Sequence, residues 1–242
     1  MTSDLLVVLP TRGRPESVRR FLDGFAATAR LPADLAIVAD GDDEATLEVL
    51  ASPPWGNRGT CGAAELRPPW LKVYALPRAP TAAKVNHAAM PGALTHRAVM
   101  FLGDDNVFVT EGWDRAVMDA LDGMGGGMVY VNDLGERENI IACNWAVSSA
   151  AILALGYLDY PGCSHYCVDN VLWEIFGALD RRRYLPDVII EHRHPLFGKA
   201  PEDALYSETG VKWWASDHAV LERWREHEKE KDIERVREAL LK

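Results

Sequence analysis

Near its start the chain reads Leu5-Leu6-Val7-Val8-Leu9-Pro10-Thr11-Arg12-Gly13-Arg14-Pro15. The first five residues form a continuous apolar run, which is typical of a strand buried on both faces of a sheet. The segment Pro10 to Arg14 predicts a turn, and Pro15 suits the first turn of a helix whose apolar residues follow from Val18 to Phe25. The stretch therefore predicts a strand, a turn and a helix, which is the repeating unit of α/β folds.

This alternation continues along the chain. Further strands are predicted over Leu35–Ala39, Leu71–Leu76, Ala98–Leu102, Met128–Val131, Ile140–Val147 and Val188–Glu191. Further helices are predicted over Glu44–Leu50, Thr81–Met90, Trp113–Leu121, Ser148–Leu155, Val168–Leu179 and Asp217–Leu241, with a loop over Pro195–Gly210. Strands separated by helices predict an α/β fold with a Rossmann-like, mixed and mostly parallel sheet that carries helices on both faces.

Composition sets broad limits on function. The chain has 242 residues and a formal net charge of −10, which argues against a protein that coats nucleic acid or anionic membranes by bulk charge. We find no signal peptide and no apolar stretch long enough to span a membrane, so we expect a cytoplasmic protein with reduced thiols. The cysteines are Cys61, Cys143, Cys163 and Cys167. The spacing around His165, between the last two, is not that of a standard zinc finger.

The length is explained by one domain. We assign residues 1–215 to this domain and residues 216–242 to a charged C-terminal helix on its surface. Opposite charges recur three residues apart in this helix, for example Glu222 with Arg225, and its apolar residues are sparse. We therefore expect the helix to lie on the surface or to pack against a partner, such as a second copy of the chain.

Candidate ligand-binding residues follow several of the predicted strands. They are Pro10, Thr11 and Arg12 after the first strand, Asp40 and Asp42 after the second, Asp104, Asp105 and Asn106 after the fourth, and His192 and His194 after the last. Ligands of open α/β sheets bind at the carboxyl ends of the strands. The glycine-rich fingerprints that hold dinucleotides or phosphates are absent after the first strand. The alternative way to bind a diphosphate uses carboxylates that hold a divalent cation, which in turn binds the diphosphate.

Several motifs, taken in order, resemble those of nucleotide-sugar-dependent glycosyltransferases of the GT-A fold, closest to the broad family 2 type. They are Pro10-Thr11-Arg12-Gly13-Arg14-Pro15, Ala39-Asp40-Gly41-Asp42, Phe101-Leu102-Gly103-Asp104-Asp105-Asn106, and Gly156-Tyr157 with the later Asp169 and Glu191-His192-Arg193-His194-Pro195. The second is similar to the family's D-D-G-S, and the third is similar to its D-x-D metal motif. The resemblance covers Asp4 to Lys212 and departs from the family at Gly103, where the first Asp of D-x-D is usual.

The resemblance implies a donor site for a nucleotide sugar together with a metal ion. The donor-binding residues would be Pro10, Thr11, Arg12, Asp40, Asp42, Lys84, Asn86, Asp104 and Lys199. Asp40 resembles the Asp that contacts a uracil edge or a ribose hydroxyl, which makes UDP the first choice of nucleotide. Asp105, with His192 or His194, would hold Mn²⁺ or Mg²⁺, and the alternation of side chains along a strand places both imidazoles on one face. The loop Pro195–Gly210 is expected to order over the donor as a lid.

Asp169 is the expected general base. In an inverting transfer, which we favour over a retaining one, a carboxylate deprotonates the acceptor hydroxyl as it attacks the anomeric carbon. The position of Asp169 before a predicted helix also suits an N-cap residue. Asn144 and Trp145 are the candidate acceptor-binding residues, because they fall late in a strand near the expected cleft and Trp stacks on sugars or bases. Trp213 and Trp214 follow the predicted lid.

Two other functions stay open at this point. A sugar nucleotidyltransferase shares this kind of sheet, but it normally carries a glycine-rich loop with Arg and Lys after the first strand, and this turn has only Gly13. A catalytically inactive relative that acts as a binding or scaffold protein is the other. The presence of Asp105, Asp169 and the two histidines, His192 and His194, argues against it. The acceptor is open among a glycan, a lipid, a protein, a small molecule and modified DNA, the last because small stand-alone chains of this type resemble some phage-encoded transferases.

Overall fold

The computed structural model describes residues 3–56, 68–135, 143–195, 198–201 and 204–241, so Cys61 and residues 140–142 of a predicted strand lie outside it. The strands are β1 (Leu5–Thr11), β2 (Ala33–Asp40), β3 (Leu71–Leu76), β4 (Ala98–Phe101), β5 (Asn106–Phe108), β6 (Met128–Asn132), β7 (Trp145–Ser148) and β8 (Arg182–His192). The helices are α1 (Pro15–Thr28), α2 (Glu44–Ala51), α3 (Thr81–Ala93), α4 (Trp113–Met124), α5 (Ser149–Leu155), α6 (Val168–Ala178), α7 (Ala204–His227) and α8 (Lys229–Leu240).

The strands of the described residues form one sheet in the order β3-β2-β1-β4-β7-β6-β8-β5. β1 lies between β2 and β4, and both neighbours run parallel to it. β7 runs antiparallel to β4 and β6, and β5 runs antiparallel to the end of β8. The mixed, mostly parallel sheet that the alternation of strands and helices predicts is confirmed.

Two apolar cores lie on the two faces of this sheet. Leu6 and Val8 of β1 belong to one core, together with residues of α3, α5, α6 and α8. Leu5, Val7 and Leu9 of the same strand belong to the other core, together with residues of α1 and α4. Successive side chains of a strand point to opposite faces, so a strand that is covered on both sides is apolar at every position. The continuous apolar run at the start of the chain has this cause.

The structure extends the predicted strand set at two places. β8 begins at Arg182, ahead of the predicted Val188, and its first part pairs in parallel with β6. The pairing register of β6 with β8 shifts from Leu185 to Ile189, across Pro186. Proline lacks the N–H that a ladder needs, so the sequence pattern indicated only the second part of this strand. β5 was not predicted, because its few residues are too short for a periodic pattern and its pairing with β8 defines it.

The C-terminal segment differs from the predicted single surface helix. It forms α7 and α8, and α7 begins at Ala204, within the predicted lid loop, and runs through the domain boundary expected at residue 216. Trp224 of α7 and Ile233 and Val236 of α8 are buried in the core of this chain, where α8 packs on α5 and α6. The chain's own helices cover these apolar residues, so the segment is more than the surface helix that its sequence predicts. Association with a second copy of the chain through this segment stays a prediction. No helix of the described residues combines the length and apolar character that crossing a membrane requires.

A buried carboxylate fixes α8 in this position. The Oδ2 atom of Asp232 accepts hydrogen bonds from the Tyr157 hydroxyl at 2.7 Å and from the Trp224 indole nitrogen at 3.0 Å. Arg235 donates to its Oδ1 atom at 3.0 Å. Burial, and then this hydrogen bond to Asp232, raise the pKa of Tyr157 far above its usual range. Asp232, a polar residue of the charged C-terminal segment, therefore holds α8 to the core.

Candidate active site

A cavity of about 540 Å³ opens at the edge of the sheet where β1, β2 and β4 end. Most of the predicted site residues line it, namely Pro10, Thr11, Arg12, Asp40, Lys84, Asp104, Asp105, Asn144, Trp145, Asp169, His192 and His194. A second cavity of the same volume lies beside Ser3, Pro32 and His96, near the amino ends of the strands. Ligands of open α/β sheets bind at the carboxyl ends, so the first cavity is the candidate active site.

Asp105 and His192 lie side by side in this cavity. The Asp105 Oδ2 atom is 3.3 Å from the His192 Nε2 atom. The pairing of β5 with β8 brings them together, because Asn106 stands opposite His192 and the Arg193 backbone nitrogen donates to the Asp105 carbonyl at 3.0 Å. The ring of His194 lies 5.2 Å from the ring of His192. The two imidazoles are therefore neighbours at the cavity, and His192 contacts Asp105.

The carboxylate of Asp105 and the imidazole of His192 fit a divalent cation such as Mn²⁺. A carboxylate oxygen and an imidazole nitrogen at this separation can share one ion with bonds of roughly 2.0–2.3 Å, and this ligand combination suits Mn²⁺. Burial lowers the pKa of His192, but its hydrogen bond to Asp105 and the charges of Asp105 and Asp133 outweigh burial and raise the pKa overall. The same negative charges favour a bound cation.

His192 also belongs to a second group of potential ligands. One ligand atom from each of Asp133, Cys143 and His192 lies within 4.8 Å of the others. A thiolate favours softer ions such as Zn²⁺, whereas carboxylate and imidazole ligands suit Mn²⁺. These three residues are far apart in the sequence, so no spacing rule links them. Variants at Asp105 and Cys143 distinguish the two ligand sets.

Asp104 ties the turn after β1 to the end of β4. Its carboxylate accepts hydrogen bonds from the Thr11 hydroxyl at 2.7 Å and from Arg14 at 2.9 Å. Burial raises the pKa of Asp104 to about 6, while the charge of Arg14 opposes the shift and the charge of Asp105 adds to it. At Gly103, a Cβ atom would lie 2.7 Å from the Asp105 Oδ1 atom. The departure from the D-x-D pattern therefore leaves space for the Asp105 carboxylate.

Asp40 lies between two cations on the β2 side of the cavity. Arg12 donates to its Oδ2 atom at 2.9 Å, and the Lys84 Nζ atom is 2.7 Å from its Oδ1 atom. Asp42, which does not line the cavity, binds Arg12 from the solvent side at 2.5 and 3.1 Å. The hydrogen bond between Asp42 and Arg12 is the main cause that raises the pKa of Arg12 and lowers the pKa of Asp42. These contacts fix Arg12 and Lys84 at the cavity wall.

Asp169 stands in the first turn of α6 and lines the cavity. The N-cap position belongs to Cys167, so the alternative role of Asp169 as an N-cap does not apply. Its Oδ1 atom accepts a hydrogen bond from the Asn170 backbone nitrogen at 3.0 Å. Asp159 is a buried neighbour whose carboxylate oxygens have no hydrogen-bond partner among the described residues. Burial, and then the charge of Asp169, raise the pKa of Asp159 well above its usual value.

The loop between α5 and α6 is held by α7. The carboxylate of Asp217, which is 1% exposed, accepts hydrogen bonds from the backbone nitrogens of Ser164, His165 and Tyr166 at 3.0, 2.8 and 2.8 Å. The Thr81 hydroxyl lies 2.9 Å from the His165 Nδ1 atom. Burial lowers the pKa of His165, although the charge of Asp217 opposes the shift. The loop thus presents a mainly neutral imidazole to the cavity at neutral pH.

Asn86 and Lys199 do not line the cavity and have other contacts. The Asn86 amide oxygen accepts hydrogen bonds from the backbone nitrogens of residues 158 and 159 at 2.8 and 3.1 Å, and its NH₂ group donates to the carbonyl of residue 159 at 2.6 Å. The Lys199 Nζ atom donates to the Leu134 carbonyl at 3.0 Å and lies 3.2 Å from the Glu191 Oε1 atom. The structure places these two predicted donor-binding residues beside the site, where they support its framework.

The predicted acceptor-binding residues are almost fully buried in the cavity wall. Asn144 donates to the Asn106 amide oxygen at 2.7 Å and to the Ile190 carbonyl at 2.8 Å. Trp145 is 1% exposed and stacks on Phe101 with 5.2 Å between ring centroids. Both side chains connect strands at the end of the sheet, which leaves them little surface for an acceptor.

Solved structures with a similar fold include complexes with nucleotides and Mn²⁺. The mannosyltransferase PcManGT from Pyrobaculum calidifontis, in complex with GDP-Man and Mn²⁺, matches 99% of this chain and 74% of its own, with a TM-score of 0.60 and 13% identity. The chain has the GT-A fold. Glucosyl-3-phosphoglycerate synthase from Mycobacterium tuberculosis, in complex with Mn²⁺, UDP and glucosyl-3-phosphoglycerate, matches 86% of this chain and 75% of its own, with a TM-score of 0.58 and 14% identity.

A third GT-A structure shows the extent of the similarity. S. aureus TarS 1–349 in complex with UDP has a TM-score of 0.60 and 13% identity over 77% of this chain. The match spans 59% of that TarS fragment. No protein-family model and no curated protein matches the sequence. The chain is therefore similar to these structures in fold. The overall sequence identity is too low to indicate this similarity, but the short sequence motifs did indicate it.

The GT-A cavity also contains residues that the sequence motifs did not assign. Arg14, which contacts Asp104, stands in the same turn as Arg12, so its signal was present in the sequence. His165 was considered only as a zinc ligand, and Tyr166 and Lys212 belong to no motif. Tertiary structure alone brings these last residues to the cavity, through the contact of the loop before α6 with α7.

Proposed function

We propose that this protein is a metal-dependent glycosyltransferase that moves a sugar from a nucleotide sugar, with UDP as the first choice of nucleotide, to an acceptor hydroxyl with inversion. One observation carries the proposal: a single cavity holds the Asp105–His192 pair and, separately, the carboxylate of Asp169. The first suits a metal-bound diphosphate and the second suits a general base. The GT-A fold supports the proposal, as do the complexes of its structural neighbours with UDP or GDP-Man and Mn²⁺.

The nucleotide part of the donor is proposed to lie along the ends of β1 and β2. Arg12 and Lys84 supply positive charge at this wall, and Asp40 holds both in place. Because both oxygens of Asp40 are engaged by these cations, we assign it an orienting role in addition to the contact with uracil or ribose that the resemblance implies. The guanidinium of Arg12 also offers a planar face for stacking on a base.

The diphosphate is proposed to lie next to Asp105 and His192, which would hold the metal ion. When bound, a divalent ion neutralises the diphosphate and stabilises its charge as a leaving group. Arg14 adds positive charge here, since its NH1 atom is 3.7 Å from the Asp105 Oδ2 atom. Asp104 acts behind the site by fixing the turn that carries Arg14 against the strand end that carries Asp105.

Asp169 is proposed to accept the proton of the acceptor hydroxyl. As that oxygen forms a bond to the anomeric carbon, the bond from this carbon to the diphosphate oxygen breaks, and its electron pair leaves with the nucleoside diphosphate. A base on the side of the sugar opposite the diphosphate gives inversion at the anomeric carbon. Asp217 supports this step by fixing the loop that leads into α6, so α7 belongs to the proposed catalytic unit. Cytoplasmic location stays a prediction.

A donor screen tests this function. The protein is incubated with UDP-, GDP-, CDP- and dTDP-sugars in Mn²⁺ together with candidate glycan, lipid, protein, small-molecule and DNA acceptors, with and without a chelator, and release of the nucleoside diphosphate is measured. We expect release from a UDP-sugar that the chelator abolishes, and mass spectrometry of candidate acceptors then identifies the glycosylated product. No release from any donor would contradict the proposal. Release of pyrophosphate from a nucleoside triphosphate and a sugar phosphate would instead indicate a nucleotidyltransferase.

A further inference from the structure

Three aromatic side chains stand at one end of the cavity. Tyr166 and Trp213 line it. Trp214 is 56% exposed, and its ring meets that of Tyr166 edge to face with 5.2 Å between centroids. The Lys212 ammonium lies 4.3 Å from the centre of the Trp213 ring. We call Tyr166, Trp213 and Trp214 the aromatic group.

The aromatic group comes from the loop before α6, which leads directly into Asp169, and from α7. Tyr166 precedes Asp169 by three residues, and its backbone nitrogen is fixed by Asp217 at 2.8 Å. Trp213 and Trp214 come from α7, whereas the nucleotide wall comes from the end of β1 and from α3. In the proposed function the acceptor hydroxyl lies at Asp169, so the aromatic group adjoins the acceptor.

The chemistry of this group suits one class of acceptor. Trp214 is 56% exposed and packs against Tyr166 of the cavity wall, so its indole is available to a ligand in the cavity. The electron-rich faces of Trp and Tyr attract weakly positive C–H groups, which a pyranose presents on one side of its ring. The same ring carries hydroxyls at its rim, and the neighbouring polar side chains, His165, Asp169 and Lys212, can hydrogen-bond to them.

We propose that the aromatic group is an acceptor subsite that binds a sugar ring, so the acceptor is a carbohydrate. This inference rests on the proposed function and narrows it. A lipid chain would favour a uniformly apolar groove, whereas charged and polar side chains stand among these aromatics. A nucleic acid stacks on aromatics too, but the formal net charge of −10 opposes its approach.

Saturation-transfer difference NMR on the full chain tests the subsite. The probes are methyl pyranosides of glucose, galactose, mannose and N-acetylglucosamine, measured in the presence of UDP and of Mg²⁺, since paramagnetic Mn²⁺ broadens the signals. Sorbitol serves as the acyclic control and an oligothymidylate as the nucleic-acid probe. The variants are Trp214→Ala and, as a matched control, Leu94→Ala, whose side chain is 74% exposed at the end of α3.

We expect saturation transfer to the ring C–H protons of at least one pyranoside and none to sorbitol. Trp214→Ala should weaken this signal about ten-fold while Leu94→Ala and the signals of UDP stay unchanged. Three outcomes would overturn the inference and leave the proposed function standing. They are signals from UDP but from no pyranoside, equal pyranoside signals in Trp214→Ala and the unmodified protein, and a signal from the oligothymidylate in place of the pyranosides. Absence of UDP signals with the unmodified protein would overturn both this inference and the proposed function.

Discussion

The carboxylate of Asp217 accepts a hydrogen bond from the backbone nitrogen of His165 at 2.8 Å, and this contact joins the C-terminal helix α7 to the cavity. The same carboxylate binds the nitrogens of residues 164 and 166. The loop that leads to Asp169 is therefore held from a helix that lies about fifty residues further along the chain.

We expect Asp217→Ala to lower kcat more than it raises the donor KM. The substitution removes the acceptor of three part-buried backbone N–H groups, and it frees the loop on the acceptor side of the cavity. The measurement is steady-state kinetics, with Asp119→Asn as the control because Asp119 is exposed on α4. A donor KM that rises while kcat is unchanged would contradict a positioning role.

Replacing the proposed base should stop transfer and spare donor binding. Asp169→Asn keeps the size of the side chain and the hydrogen bond from the Asn170 nitrogen, but it removes the basic oxygen. General bases contribute about 10²–10⁴-fold in rate, so we expect a loss of that order in nucleotide release with acceptor present. Calorimetry should give an unchanged Kd for UDP. Normal turnover by this variant would show that Asp169 is not the base.

The sequence predicts the sheet well because the parallel strands carry their own signal. The apolar run from Leu5 to Leu9 is dictated by burial on both faces, and this does not depend on distant residues. Asp105 and His192 could be named from motifs, but their contact arises from β5, a strand too short to show a pattern. Tertiary contacts made by the C-terminal helices, such as those of Asp217, lie beyond any local pattern.

The predicted acceptor residues show that a sequence does not reveal which aromatic side chains are exposed. Trp145 stands where a motif search expects a ligand, yet stacking on Phe101 makes it part of the sheet end. Trp214 carries no motif, yet it is the exposed aromatic next to the cavity wall. Sequence position does not report exposure, because exposure depends on which helices cover a strand end.

Asp159 gives the protein a pH-dependent stability. Its pKa is raised in the folded state by burial and by the charge of Asp169, so the folded protein holds a proton that the unfolded chain releases above a pH of about 4. Folding stability from this group therefore falls as the pH rises from about 4 towards the folded pKa, by about 1.4 kcal/mol per pH unit at most.

The variant Asp159→Asn removes this effect. We expect its Tm to exceed that of the unmodified protein, with a difference that is larger at pH 7 than at pH 5. Each kcal/mol corresponds to about 2–4 °C for a chain of this size. Differential scanning fluorimetry at both pH values is the measurement, with Asp119→Asn as the exposed control. A difference that shrinks with rising pH would contradict the raised pKa.

The packing of α8 depends on Asp232. Asp232→Ala leaves the Tyr157 hydroxyl and the Trp224 indole nitrogen buried without their acceptor and removes the ion pair with Arg235. We expect a loss of about 3–5 kcal/mol in the free energy of unfolding. Urea denaturation measures it, and Glu238→Ala, on the exposed face of α8, should change it by about 0.5 kcal/mol or less. Equal stabilities of the two variants would mean that the Asp232 contacts do not hold the helix.

We propose that Asp105 and His192 bind the ion that holds the donor. Isothermal titration of UDP into the protein in Mn²⁺, repeated with a chelator and with the variants Asp105→Asn and Cys143→Ser, tests it most directly. We expect tight binding in Mn²⁺ that weakens at least about ten-fold in the chelator and in Asp105→Asn, and that Cys143→Ser leaves unchanged. Equal UDP affinity with and without the metal, or loss of binding in Cys143→Ser but not in Asp105→Asn, would contradict the claim.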